Sequence, residues 1–420
     1  MCKNGKSVYC ILGGSRENGS NSGSRCSNWN NPAWNSNWNN GVRAVCDDPQ
    51  HHIMPATARM MDLSFDGQHA FTGFGKHTTR CGERRVGKPK AAPPLRKKIM
   101  GKRYKNLFAE IVKPDNLWLA YHKASLGKRK STGYLLFRAD EAANIARLAA
   151  ALESGEYAPG KPRSFWVTEP KPRLITALPF VDRIIQHALC NIIEPIFDRA
   201  FLPQSYACRP GKGTHRAAIA VQAMLRKIPD AWILKTDFSK FFASIDREIL
   251  HSEIRRKITC PRTLALLSLF IPPDGRGIPI GNLTSQVTAN IYGHALDRWL
   301  VHKIGITRFI RYMDDVVVVG YNRESMRLLK ILMASFVESA MRLRFSRWSV
   351  QPAKRGVNFC GYRIWQTHKL LRRRSVIAAK RKIKILQKDP PALSRFLAAW
   401  KGHAAWANSH NLLTRMGVTS

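Results

Sequence analysis

The stretch RFIRYMDDVVVVG, Arg308 to Gly320, limits what this chain can become. β-Branched and aromatic residues flank Met313-Asp314-Asp315. Short apolar runs broken in this way read as a β-hairpin, with the Met-Asp-Asp stretch at or near its turn. An aspartate pair also suits an ordinary polar turn, where Asp is common. The valines that follow argue instead for a rigid, buried support. A second strand, within AWILKTDFSKFF, ends the same way and emerges at Asp237. Carboxylates gathered at the ends of neighbouring strands repel one another and are tolerated where a divalent cation sits among them. Hard cations held by carboxylates and substrate phosphates can lower the pKa of an attacking hydroxyl and stabilise a leaving pyrophosphate. Asp237, Asp314 and Asp315 are therefore candidate ligands of such ions.

Charge supplies a second constraint. The chain carries 69 Lys+Arg against 28 Asp+Glu, a formal net charge of +41 and a pI near 10.5. Such an excess is self-repelling unless a polyanion offsets it. Nucleic acid is the natural polyanion, because each phosphate contact releases counterions. Apolar residues make up 44% of the 420 positions, enough for a sizeable core. No apolar run approaches the ~20 residues that span a bilayer. The start, MCKNGKSVYCILGGSRENGS, lacks the apolar region of a signal peptide. The expectation is a cytoplasmic protein with no membrane partner. The nine cysteines form no CxxC pair, which argues against zinc and for free thiols used in packing.

The chain changes character near Met100. Residues 13–48, GGSRENGSNSGSRCSNWNNPAWNSNWNNGVRAVCDD, show neither helical nor strand period. The basic, Pro-containing GERRVGKPKAAPPLRKK after them reads as linker, and most of 50–99 reads as disordered. From Met100 the pattern is that of a compact protein of helices and strands. Asp140 or a neighbour caps a helix that ends at Gly155. SFWVTEPKPRLITALPF gives two extended pieces around a Pro-bearing turn. DRIIQHALCNIIEPIFDRAF is an amphipathic helix with Ile185, Leu189, Ile192, Ile193, Ile196 and Phe197 on one face. NLTSQVTANIYGHALDRWLVHKI and ESMRLLKILMASFVESAMRLRF are helical, and the last fifty or so residues read as basic helices.

Phosphates need their own partners. Lys171 and Arg173, in EPKPRLI, lie on a short extended segment from which they could clamp a triphosphate. Arg209 and Lys212, in RPGKGTH, could do so from a Gly-containing loop. GKG is not a Walker A sequence and has no strand–GxxxxGK[ST]–helix context, so a P-loop NTPase is disfavoured.

Together these residues resemble a reverse transcriptase. Tyr312 to Asp315, YMDD, matches that family's catalytic hairpin, and Asp237 to Phe242, DFSKFF, matches its first catalytic strand. PRLITALPFVDRIIQHAL and SYACRPGKGTHRAA resemble the fingers motifs of group II intron, retron and related bacterial enzymes. GVNFCGY, Gly356 to Tyr362, resembles the motif at the palm–thumb junction. The resemblance covers about residues 100–420. It implies an α+β right-hand polymerase: fingers and palm over 100–365, with an antiparallel palm sheet backed by helices, and a basic helical thumb over 366–420. Where group II intron enzymes carry Q-G-x-x-x-S-P, this chain has Ile280-Gly281-Asn282-Leu283-Thr284-Ser285-Gln286. That form resembles the reverse transcriptases of diversity-generating retroelements. Those enzymes copy a template-repeat RNA into adenine-mutagenised cDNA, which then replaces a variable repeat in a target gene.

The resemblance also implies roles. Asp237, Asp314 and Asp315, with the backbone carbonyl of Phe238, would hold two Mg²⁺ ions, for which Mn²⁺ can substitute. Asp237 and Asp314 are foremost among the direct ligands. Phe242 would be the steric gate that selects dNTPs. Arg173, and more weakly Lys171, would contact the triphosphate, while Gly281 and Gln286 would lie by the nascent base pair. Ile280 would loosen control of template–dNTP geometry, with Arg209 also near the template. Cys360, Gly361 and Tyr362 would form the primer grip. Arg372, Arg373, Arg374, Lys380, Arg381 and Lys382 would meet backbone phosphates of an RNA–cDNA duplex, contacts that position without specifying. Trp348 stands where related enzymes usually present a lysine that helps protonate pyrophosphate, with Arg347 beside it. The family further implies a small, basic, pentameric accessory protein.

Residues 13–48 resemble the C-terminal variable region of the target proteins of such elements, and residues 1–99 as a whole resemble a translated template repeat followed by a basic linker. The expectation is that they are read-through translation of the template repeat, with Met100 as the start of the polymerase. The rival readings are a retron or group II intron enzyme, or a non-catalytic RNA-binding derivative.

Overall fold

The computed structural model describes residues 102–168 and 172–418, so the readings made for residues 1–99 and for Lys171 lie outside the described residues. The first helices are α1 (Leu107–Val112), α2 (Pro114–Ser125), α3 (Thr132–Arg138) and α4 (Glu141–Ser154). The expected caps of α4 are present: the Asp140 carboxylate accepts from the Ala143 N–H, and Gly155 closes the helix at φ +82°. A two-stranded hairpin follows, β1 (Arg163–Val167) with β2 (Arg173–Ala177), paired Arg163 to Ala177 through Val167 to Arg173.

Helix α5 (Phe180–Asp198) then runs through the core. Ile185, Leu189, Ile193, Ile196 and Phe197 are buried on it as expected, with Ile192 half-buried. Burial extends further round the helix than one amphipathic face, taking in Asp182, Gln186 and His187. Asn116 of α2 donates to the Ile111 and Ala188 carbonyls, which locks α2 against α5.

After α6 (Thr214–Arg226) comes the central sheet: β3 (Trp232–Phe238), β4 (Phe309–Tyr312), β5 (Asp315–Gly320) and β6 (Phe345–Pro352). Its order is β4-β5-β3-β6 and every pair is antiparallel. Helices α7 (Phe241–Ser244), α8 (Arg247–Arg255), α9 (Pro261–Phe270) and the long α10 (Leu283–His302) separate β3 from β4, and α11 (Arg323–Met341) separates β5 from β6. Val316 to Val319 are at most 2% exposed, because this hairpin is sandwiched on both faces. This is the antiparallel palm expected of a right-hand polymerase.

Two boundaries differ from the sequence reading. The helical pattern continues to Phe345, yet α11 stops at Met341 because Arg342 adopts φ +47° and donates to Asp246 and Glu248. The residues beyond become β6. The proposed division at 365/366 also cuts a three-stranded sheet, β7 (Val357–Phe359), β8 (Tyr362–Ile364) and β9 (Lys369–Leu371), in the order β7-β8-β9. The expected basic helices begin only with α12 (Arg373–Leu386), followed by α13 (Pro390–Ala404) and α14 (His410–Arg415).

Among the described residues, no helix is long and apolar enough to cross a membrane. Cys190, Cys208, Cys260 and Cys360 are free and buried, as packing residues are expected to be.

Candidate active site

The site grows from strand register. Asp237 at the end of β3 lies directly opposite Asp315 at the start of β5. Like charges facing each other across a ladder are destabilising unless something neutralises them. Asp314 lies in the turn between β4 and β5, preceded by Met313 at φ +52°. A non-glycine residue in that left-handed region carries strain of roughly 1–2 kcal/mol, which the surroundings must over-determine.

Lys235, two residues before Asp237 and so on the same face, reaches both Asp315 oxygens at 2.8 Å. Asp315 is thereby engaged within the sheet. Asp314 has no such clamp. Burial, then Asp237, then Asp315 push its carboxyl up to about 7, against a smaller opposing pull from the Arg173 guanidinium. The two carboxylates most in need of a cation are thus Asp237 and Asp314.

Among the described residues, no three His, Cys, Asp or Glu side chains form a group that could hold a metal ion. Asp237 and Asp314 offer oxygen donors of the kind Mg²⁺ takes, one or two carboxylates completed by water and substrate phosphates. Phe238, whose N–H donates to the Asp314 carbonyl at 3.2 Å, ties the two ligand-bearing segments together.

The raised Asp314 pKa predicts a pH effect. The folded protein holds a proton at Asp314 between the ordinary carboxylate value of 3.8 and about 7, where the unfolded chain has released it. Stability of the metal-free protein should therefore fall as pH rises through that window and level off above it. Thermal melts between pH 5 and 8 in EDTA check this. Asp314→Asn should flatten the dependence and raise the Tm at pH 8.

The other expected site residues separate into two groups. Arg173 opens β2 close enough to act on Asp314 electrostatically. The Thr176 N–H donates to the Ile280 carbonyl at 2.9 Å, docking the Ile280 loop on the hairpin. Gly281, at φ +114°, fits where a Cβ would come within 2.9 Å of Ile175 and 3.2 Å of the Thr176 carbonyl oxygen. Gln286, in α10, is half-buried with its Oε1 lacking a hydrogen-bond partner. Phe242 packs edge-on against Phe241 and is only partly buried. Of these, Arg173 acts on Asp314, and Phe242 reaches the end of β3 through Phe241, which stacks on Phe238.

Arg209 does not join them. It is buried, and its guanidinium donates to Asp198 and to the Leu202 and Ser205 carbonyls. This corrects the reading that turned it toward template or triphosphate. Lys212 in the same loop donates to the Pro203 carbonyl and lies 4.2 Å from the Tyr206 ring centre. The Tyr362 side chain is also internal. Its hydroxyl lies 2.7 Å from His215 Nδ1 and 3.0 Å from His403 Nδ1, joining α6 to α13, so its ring is not available to a primer. Cys360 and Gly361, at φ +46° and +89°, form the tight β7–β8 turn, and Asp315 helps push the buried Cys360 thiol up.

Of the basic thumb residues, Arg373, Arg374, Lys380 and Arg381 are exposed on α12, and Lys382 is half-buried. Arg372, just before that helix, acts electrostatically on Asp315 and Cys360 instead. Arg347 is the residue opposite Asp237, while Trp348 pairs with Thr236 on the other face beneath Lys330.

Residues 161–364 match the family model described as reverse transcriptase (RNA-dependent DNA polymerase). Over those residues, just under half of its length, the chain is similar to reverse transcriptases. Protein YkfC of Escherichia coli K12 is 28% identical over 37% of this chain and 46% of its own length. The group II intron-encoded protein LtrA of Lactococcus lactis subsp. cremoris is 26% identical over 47% of this chain and 35% of its own. The chain thus spans less than half the length of either relative. A solved telomerase from Candida albicans, in complex with a telomeric RNA fragment, aligns at a TM-score of 0.37 and 9% identity over 58% of this chain and 55% of its own.

Proposed function

We propose that the protein is an RNA-directed DNA polymerase, acting in the cytoplasm on dNTPs and an RNA template. The observation that carries this reading is the opposition of Asp237 and Asp315, with the half-buried Asp314 beside them and Arg173 near by. Asp237 and Asp314, with the Phe238 carbonyl, would hold the divalent ions. When bound, those ions stabilise charge on the attacking primer hydroxyl and the leaving pyrophosphate. Burial raises the Asp315 carboxyl, and Lys235 opposes that rise and fixes the side chain through both oxygens. Arg173, with Lys171 two residues before it in the sequence, orients the triphosphate. The Phe242 ring lies under the sugar and excludes a 2′-hydroxyl. Arg347 adds positive charge beside Asp237, but an arginine keeps its proton and does not replace a donating lysine. The exposed bases of α12 follow the RNA–cDNA duplex.

The finer reading is a polymerase of a diversity-generating retroelement. Its support is Ile280 to Gln286: Ile280 offers no side-chain hydrogen bond where a glutamine could, so the template–dNTP pair is held less strictly. A pentameric basic accessory protein is the partner this implies, and template-repeat RNA the substrate. An intron-type enzyme is the second reading, favoured by the similarity to LtrA.

Primer extension on an adenine-containing RNA template with the full chain, Mg²⁺ and dNTPs, followed by cDNA sequencing, tests both. Errors concentrated opposite adenine support the retroelement reading, faithful cDNA the intron reading, and absence of synthesis with the accessory protein supplied defeats both. Ile280→Gln should lower misincorporation opposite adenine without stopping synthesis; an unchanged error spectrum would remove Ile280 from the fidelity site.

A further inference from the structure

Arg311 lies three residues before Asp314, on the face of β4 opposite to the carboxylates, and neither it nor its partner Asp297 of α10 is exposed at all. A fully buried ion pair is rarely a good source of stability, since apolar residues of similar volume often serve as well. Its geometry here is specific. Nε and Nη2 each donate to one Asp297 oxygen at 2.7 Å. Nη2 also donates to Ser205 Oγ at 3.0 Å, and Nη1 to Asn290 Oδ1 at 3.4 Å. The remaining Nη1 hydrogen goes to the Met313 carbonyl at 3.3 Å. All five donors of the guanidinium fork are used.

The surroundings keep this arrangement in place. Gly293 of α10 leaves room for the guanidinium, since a Cβ there would come within 2.5 Å of Nη1. The Arg311 main chain is held too, its N–H by the Gln204 carbonyl and its carbonyl by the Tyr206 N–H. The Met313 carbonyl belongs to the peptide that leads into Asp314. Fixing that carbonyl fixes the peptide plane and hence the direction from which the Asp314 side chain departs.

We propose that Arg311 is a positioning residue for the metal-binding turn: clamped by Asp297, Ser205 and Asn290, it holds the Met313 carbonyl and so aims the Asp314 carboxylate. The inference rests on the polymerase reading above. Arg311 touches neither substrate nor metal and acts through the backbone. Displacement of a catalytic group by an ångström or so lowers turnover by about 10²-fold, so a misdirected Asp314 should produce a loss of that size.

Single-nucleotide extension with the full chain, at varied dNTP and Mg²⁺, is the test, beside thermal melts. Arg311→Met/Asp297→Leu replaces the ion pair by an apolar pair and should fold. Its kcat should fall by about 10²-fold and its half-saturating Mg²⁺ rise, with the dNTP KM and template–primer affinity unchanged. Arg311→Lys keeps a charge for Asp297 but lacks the fork, and should be similarly slow. Gly293→Ala, which favours the helix but crowds Nη1, should slow turnover in the same way and carries the test if the double variant does not fold. Wild-type kcat in a folded double or Gly293→Ala variant, or its restoration by lysine, overturns the proposal. A wild-type chain that makes no DNA defeats the polymerase reading instead.

Discussion

Asp237→Asn and Asp314→Asn should each reduce DNA synthesis by about 10³-fold or more, while template–primer binding stays near wild type. Metal stabilisation of transition-state charge is worth several kcal/mol, and 1.4 kcal/mol is tenfold in rate. Neither substitution removes a basic residue, so the phosphate contacts that dominate affinity persist. Asp315→Asn should behave differently. Lys235 holds Asp315 through both oxygens, and removing that charge leaves a half-buried ammonium without its partner. The expected result is a lower Tm together with partial loss of activity. Primer extension and filter binding on the same three variants separate these outcomes. Equal loss of binding and synthesis in Asp314→Asn would show that the carboxylate serves the fold and not the chemistry.

The second large effect concerns stability. Asp297→Leu alone leaves the buried Arg311 charge without its carboxylate, and Arg311→Met alone leaves Asp297 with only the His294 ring beside it, Nδ1 at 3.6 Å; each should cost roughly 3–5 kcal/mol, the second the less. That is a large share of the ~5–15 kcal/mol that typically separates folded from unfolded protein. Arg311, with His294 on the same carboxylate, holds the buried Asp297 carboxyl below its usual range, so the single Arg311→Met variant should regain part of its stability at acid pH, where either Asp297 or His294 takes up a proton. The double variant should recover most of the loss at neutral pH. Urea unfolding of the two single variants and the double one gives the coupling energy directly. Additive losses would mean that the pair is not energetically linked, despite its 2.7 Å contacts.

The β4–β5 hairpin was legible because its signals are local. A run of valines, a polar pair and a second apolar strand ending in Asp237 determine both the elements and what their ends carry. The α4 caps at Asp140 and Gly155 were legible for the same reason. β6 was not, since Phe345–Pro352 is only partly buried along its length and gains strand form by pairing with β3, more than a hundred residues earlier. β9 is three residues long and depends likewise on β8. Arg209 shows another limit: a Gly-containing basic loop suggests a phosphate, but the direction of its guanidinium is set by Asp198 and by carbonyls whose positions only the fold supplies. Arg311 did leave a trace. It is the one charge in the buried strand FIRY, and a lone arginine there demands a buried partner. Nothing local says that the partner is Asp297 or that the fork also reaches the turn.

The hydrogen bond from Thr176 to the Ile280 carbonyl and the close seat of Gly281 beside Ile175 join two parts of the chain more than a hundred residues apart. β2 begins at Arg173, so the segment proposed to grasp the triphosphate and the loop proposed to judge the base pair are fastened together. A swing of the hairpin toward an arriving nucleotide would carry that loop with it. Capture and inspection would then be one motion, and a substitution that loosens the seam at Gly281 should alter the speed of copying and its accuracy together.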